Sequence, residues 1–281
     1  MKKAFLIMAY KDPSQIERLV KKLYHPNFDF YIHIDKKFDF EPFQYLETFP
    51  NVYFTKDRYH MIWGSYRLVE AIVKFMDVIL ESPRKYDFIS AYTGQDYPIK
   101  SIDYINDYYS RHLGSSFLEL EPQDSEWYSR CDYRYTAYHM GYYRFRGRYI
   151  IQRILQKIMP KRNFPSYTKV YGGPRSSWWT LSSDCAKYVI EVLNTNKRLV
   201  RFAKYTWAPD EFLIPTIIMN SKFKDKVILD SGRYIDWSQG GWNPKILTID
   251  DYEALIKSDK LYARKFDINV DTEILDKLDE I

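Results

Sequence analysis

The chain opens with AFLIMAY (residues 4–10), an unbroken apolar run bounded by charge, which predicts a strand buried on both faces. PSQIERLVKKLY carries apolar positions at helical spacing behind a proline, and FDFYIHID and VYFT read as two further strands. SYRLVEAIVKFMDVILES predicts a long amphipathic helix and YDFISAY another strand. Further on, SWWTLS and KVILD read as strands, and SSDCAKYVIEVLNTN, DYEALIKS and DTEILDKLDE as helices. Strands alternating with helices predict an α/β fold, a mostly parallel sheet flanked by helices with binding loops at the carboxyl ends of its strands. His33, Asp35, Gln95 and Asp96 fall at such ends.

From about Leu120 to Pro174 the pattern changes. WYSRCDYRYTAYHMGYYRFRGRY mixes Tyr and Arg with no clean period. It reads either as a basic aromatic surface for an acceptor or a nucleic acid, or as a loop and helix packed through its tyrosines with the arginines in water. Without a repeat, linker or low-complexity segment, one domain over residues 1–281 is the simplest organisation, with 120–174 as an acceptor-side insertion.

Composition adds two points. Of 281 residues, 46% are hydrophobic, enough for a sizeable core, and the aromatic share of 18%, with 27 Tyr and 7 Trp, offers flat faces suited to sugars or nucleobases, or simply a Tyr-rich core. The net charge of +5 favours a phosphorylated ligand or an anionic membrane surface and is too small to demand nucleic acid. Cys131 and Cys185 lack metal-ligand spacing and read as free thiols of a reducing compartment. The N-terminus lacks the length and cleavage site of a signal peptide, and no apolar stretch approaches the roughly 20 residues needed to cross a bilayer. The expectation is a cytoplasmic protein, with peripheral contact at the inner face of the membrane left open.

Gly-rich phosphate loops, the Gly-x-Ser-x-Gly elbow and His-Glu-x-x-His are all missing. So is an Asp-x-Asp triplet; Asp39-Phe40-Glu41 and Asp271-Thr272-Glu273 read as solvated charge, and neither a metal nor a cofactor is expected. YTWAPDEFLIPTIIMN (205–220) sets Asp210 and Glu211 side by side in an apolar run. Two readings stand: a helix start with Asp210 as cap, or a cap beside a carboxylate that takes a proton from a substrate.

HIDKK (33–37), WGS (63–65), TGQDYPIK (93–100), SSWWTLS (176–182), APDEFLIPTI (208–217), GRYIDW (232–237) and LYARKFD (261–267) occur in one order. In that order the chain resembles the core-2/I-branching β-1,6-N-acetylglucosaminyltransferase family (glycosyltransferase family 14), which includes the peptide O-xylosyltransferases. The resemblance implies a GT-A-type fold and an inverting, metal-independent transferase that moves a sugar from a UDP-sugar to a hydroxyl of a glycan or glycolipid acceptor. It implies Glu211 as general base, Arg233 and Lys265 as the basic pair on the diphosphate, and Asp35 and Trp63 on the uridine side. Asp96 belongs to the same donor site, while Trp178, Arg134 and Asp210 fall to the acceptor side. Apart from the resemblance, Arg233 and Lys265 read as surface cations, Asp35 as a turn residue and Trp63 as core.

Trp178 stands where the xylosyltransferases have an acidic residue, so GlcNAc is the expected donor sugar and xylose the alternative within the family. With two cysteines and no anchor, the chain looks like a bacterial version acting on a polysaccharide or glycolipid precursor. A non-catalytic carbohydrate- or nucleic-acid-binding protein using the Tyr/Arg segment is the alternative outside it. A two-carboxylate glycosidase fits less well, because adjacent Asp210 and Glu211 point different ways.

Overall fold

In a computed structural model, which describes residues 1–241 and 243–281, the alternating pattern becomes two sheets. The strands are β1 (Lys3–Ala9), β2 (Phe28–Ile34), β3 (Val52–Phe54), β4 (Phe88–Thr93), β5 (Asp96–Pro98), β6 (Ser116–Phe117), β7 (Thr180–Ser182), β8 (Val227–Ile228), β9 (Arg233–Ile235) and β10 (Tyr262–Arg264). Among the described residues, the seven-stranded sheet has the order β3-β2-β1-β4-β7-β6-β8. β1 runs parallel to β2 and β4, and β2 to β3, whereas β7 is antiparallel to both β4 and β6. The sheet is thus mostly parallel and flanked by helices, the α/β class that the sequence predicts.

Both faces of the sheet are covered, which is why β1 reads as continuous apolar sequence rather than alternation. Its Phe5, Ile7 and Ala9 enter one core with residues of the helices Pro13–Lys22 and Glu273–Asp279, while Ala4, Leu6 and Met8 enter a second core with the helices Tyr66–Glu81, Ser183–Thr195 and Leu213–Met219. Serine side chains fix two of these helix starts: Ser65 Oγ accepts from Arg67 N at 3.2 Å, and Ser182 Oγ from Cys185 N at 3.4 Å.

The smaller sheet, β5-β10-β9, carries the chemistry-bearing motifs TGQDYP, GRYIDW and LYARKFD on three adjacent strands. A lysine at the start of β1 ties it to the larger sheet. Lys3 is wholly buried, donates to the Tyr262 hydroxyl at 3.1 Å and lies 3.3 Å from the centre of the Tyr109 ring. Burial, with the Arg233 cation nearby, holds its ammonium well below the usual lysine range. No helix of the described residues is long and apolar enough to cross a membrane.

Candidate active site

The paired acids lie on one 3-10 turn, Pro209–Glu211, ahead of the wholly buried helix Leu213–Met219. Ala208 enters that turn with φ 48°, a left-handed conformation that a residue with a Cβ adopts only when its surroundings impose it. The WGS motif supplies those surroundings. Ala208 N donates to Gly64 O at 2.9 Å, and a Cβ on Gly64 would lie 2.4 Å from the Trp207 indole nitrogen.

The cap expected of Asp210 is not made. Phe212 occupies the position before the helix and no side chain caps it. Asp210 instead turns inward, its Oδ2 accepting from Ser177 Oγ at 2.7 Å while Oδ1 is buried without a partner. A contact from 33 residues away has captured the side chain that local geometry would assign to the cap. Burial raises the Asp210 pKa, opposed by the Ser177 hydrogen bond.

Glu211 keeps only 18% of its side chain exposed and pairs with Arg134 Nη1. Burial, reinforced by the neighbouring Asp210 charge, pushes its pKa up to about 7, with Arg134 pulling the other way. Arg134 comes from the Tyr/Arg insertion, on the short helix Tyr133–Thr136. Its guanidinium sits 5.4 Å from the centre of the Trp207 ring, and its Nε is buried without a partner. The segment packs in part through its tyrosines, with Tyr135 against Phe212 and Tyr143 against Tyr205, but not all its arginines lie in water: Arg134 is turned onto an acid, and Arg162 donates to the carbonyls of Ala137 at 3.1 Å and Phe202 at 2.6 Å. Arg144 and Arg146 remain exposed.

Behind Glu211 the chain passes through Gly172 and Gly173. A Cβ on Gly172 would stand 2.3 Å from the Glu211 carbonyl oxygen and 2.7 Å from the Phe212 Cβ. Neither neighbour can swing away, so Gly172→Ala is expected to displace the acid turn. It should lower the thermal midpoint, costing about 1–3 kcal/mol, and cut turnover at least about tenfold. Thermal melts and rate measurements on one preparation check it; a full-rate variant would show that the backbone of Glu211 tolerates movement.

A second group of charges lies on the small sheet. Arg233 is fully buried at the side chain, donating to Ala91 O at 2.6 Å and Ser231 O at 3.2 Å, with Nε 3.6 Å from Asp96 Oδ1. It is thus not a surface cation, and its hydrogen bonds turn it toward the protein rather than toward solvent. Asp96, also fully buried, receives Thr93 N at 2.7 Å and Thr93 Oγ1 at 2.6 Å on Oδ2. Arg233 Nε is itself without a hydrogen-bond partner, and Arg264 has two such donors: its Nε and Nη1 are buried and unpartnered, and its guanidinium lies 3.7 Å from the centre of the Trp178 ring. Leaving such groups without partners costs about 1–3 kcal/mol each, more when charged, so they mark a place where an anion would be welcome.

Lys265 follows directly and is half-buried. Desolvation lowers its pKa first, then the like charges of Arg264 and Lys11. Neighbouring cations that are partly desolvated and lower one another's pKa make this cluster a candidate place for an anion. Ser177 and Trp178 connect the two groups, the serine holding Asp210 and the next residue stacking on Arg264. Trp178, expected on the acceptor side, is thus placed against the cation cluster.

The remaining expected residues lie outside the small sheet, one just after β2 and one in the turn before the helix Tyr66–Glu81. Asp35 follows β2 directly and is buried, its Oδ1 accepting from Lys37 N at 3.0 Å and its Oδ2 lying 3.2 Å from Lys37 Nζ. Trp63 is 66% exposed, edge-on to Trp207 at 6.2 Å, and so is not core. His33 is structural: its Nε2 accepts from Tyr59 N at 2.9 Å, and burial lowers its pKa to about 3. Gly172, Ser177, Trp207 and Arg264 were not legible as site residues. Arg264, adjacent to Lys265 in ARKFD, and Ser177, in SSWWTLS, carried a local signal.

A largely buried acid with a raised pKa, a guanidinium on it and an undersatisfied cation cluster on the small sheet make this region the candidate functional site. Sequence comparison gives the lineage: the core-2/I-branching enzyme family model matches residues 3–256, and the chain belongs to that family of glycosyltransferases. Relatives include xylosyltransferase sqv-6 of Caenorhabditis briggsae, 26% identical over 96% of this chain and 35% of that protein, and xylosyltransferase 1 of Rattus norvegicus, 25% identical over 98% and 35%. The chain spans about a third of the length of these curated relatives. Among solved structures, mouse xyloside xylosyltransferase 1 in its apo form aligns over 94% of this chain and 97% of that one, with a TM-score of 0.41 and 11% identity.

Proposed function

We propose that the protein is an inverting glycosyltransferase that moves a sugar from a UDP-sugar to a hydroxyl of a glycan or glycolipid, with Glu211 as general base and Arg264 and Lys265 on the diphosphate. The observation that carries this reading is the Glu211 carboxyl, largely buried and paired with Arg134, with desolvation pushing its pKa up to about 7. A base whose pKa lies near working pH is ionised often enough to act and basic enough to take a proton.

In the reaction, the acceptor oxygen attacks the sugar C1 from the side opposite UDP. Its proton passes to Glu211, the bond from C1 to the diphosphate oxygen breaks, and the electron pair leaves with UDP. Arg134 orients the carboxylate. Negative charge grows on the diphosphate as it departs, and fixed cations stabilise it by the electrostatic logic of an oxyanion hole. Two buried N–H groups of Arg264 without partners, and the Lys265 ammonium beside it, are suited to that charge. They would act in place of a metal. Arg233 and Asp96 form the buried layer that fixes the strand carrying them.

GlcNAc is the leading donor sugar, because Trp178 is uncharged and stacks on Arg264. Xylose is the second reading, favoured by the names of the relatives. A panel of UDP-sugars scored by UDP release, with and without candidate acceptors, separates them; indifference to every UDP-sugar would overturn the assignment.

The raised pKa sets the pH dependence. The base works when ionised, so kcat/KM is expected to rise with pH through about 7 and level above it. Stability runs oppositely: the contribution of Glu211 is complete below its ordinary value of 4.5 and is lost as pH rises through about 7. The thermal midpoint should fall across that window in the parent and fall less in Glu211→Gln. A flat rate profile would remove Glu211 from the role of base.

A further inference from the structure

The insertion contains a helix, Arg148–Ile158, with no buried residue. Ile150, Ile151, Ile154 and Ile158 recur at helical spacing, so they form one apolar stripe. That stripe faces outward: Ile150 is 66%, Ile154 50% and Ile158 69% exposed. The polar side faces the protein. Gln152 Oε1 accepts from Met140 N at 2.8 Å, Gln156 Nε2 donates to Tyr138 O at 2.8 Å, and Arg148 Nη1 donates to Tyr143 O at 2.6 Å. An amphipathic helix normally buries its apolar stripe against its own domain; this one is held by its amides and presents isoleucine to solvent.

The charge around the stripe is one-sided. Residues 133–183 contain no Asp or Glu, and Arg144, Arg146, Arg153, Lys157 and Lys161 are exposed on or beside the helix. Phe145, Tyr149 and Met159 extend the exposed apolar surface at its two ends. We propose that the helix Arg148–Ile158 docks the protein on an anionic membrane surface, its isoleucines entering the headgroup boundary and its flanking cations meeting acidic lipid headgroups. A bilayer fits both features at once: apolar side chains at the level of the acyl boundary and a ring of Lys and Arg above it. A second copy of the chain fits worse, since a two-fold pairing of this face brings the same cations together.

Docking does not depend on the glycosyl-transfer reading. That reading adds a consequence: the segment that carries the helix also supplies Arg134 to Glu211, so docking would tether the site to the membrane.

The test is vesicle co-sedimentation of the full chain. Phosphatidylcholine vesicles containing phosphatidylglycerol should bind at least about tenfold more tightly than phosphatidylcholine alone, and high salt should weaken the binding. Ile150→Ser/Ile154→Ser/Ile158→Ser should lose about tenfold or more, with an unchanged thermal midpoint because the side chains are exposed. Arg153→Gln/Lys157→Gln provides an independent arm that alters charge and leaves the apolar stripe intact. Equal binding by parent and both variants would overturn the proposal. So would the absence of vesicle binding together with a concentration-dependent dimer, abolished by the isoleucine variant, which would make a second copy the occupant.

Discussion

Glu211→Gln lowers turnover by about 10²–10⁴-fold, the range for removal of a positioned general base, and leaves UDP affinity unchanged. The amide keeps the shape of the side chain and can still face Arg134, but it cannot take the acceptor proton. The split matters because Glu211 lies on the 3-10 turn whereas the cation cluster lies on the small sheet. A merely structural role for Glu211 would show itself as a lowered thermal midpoint and a parallel loss of UDP binding. Asp210→Asn is the control: Asp210 already holds Ser177 and has an unpartnered buried oxygen, so its loss should affect stability more than the chemical step.

The second large effect is expected at Arg264. A hydrogen bond between charged groups contributes about 1.5–3 kcal/mol, so Arg264→Met should weaken UDP binding by about ten- to a hundredfold, and Lys265→Ala should add to the loss. Arg264→Lys should restore little, because an ammonium cannot reproduce the fork of a guanidinium or its stacking on Trp178. Without UDP, Arg264→Met should melt at the same temperature as the parent or higher, since it removes buried, unpartnered N–H groups beside the Arg233 cation. A lower melting temperature with unaltered UDP affinity would make Arg264 a structural brace.

The strands of the large sheet were legible because buried parallel strands are continuous apolar runs: AFLIMAY, FDFYIHID and YDFISAY became β1, β2 and β4. The small sheet was not. β5, β9 and β10 are three residues each and carry Asp96, Arg233 and Arg264, whose burial goes with the Arg233–Asp96 pair, Tyr92 against Arg233 and Trp178 against Arg264 rather than with apolar sequence. The motif set located the acids and cations but not their geometry. Asp210 was drawn from its cap by Ser177, and Arg134 reached Glu211 across 77 residues, contacts that no local window contains. The helix Arg148–Ile158 had a helical period in its sequence, but the same period gives no sign that the apolar side would face outward.

The small sheet is proposed to carry a nucleotide-diphosphate site built from side-chain cations. Calorimetric titration of UDP into the full chain with EDTA present tests it most directly. Binding with a Kd on the order of micromolar is expected, abolished in Arg264→Met/Lys265→Ala. No heat of binding, or binding that appears only when Mn²⁺ is supplied, would contradict it.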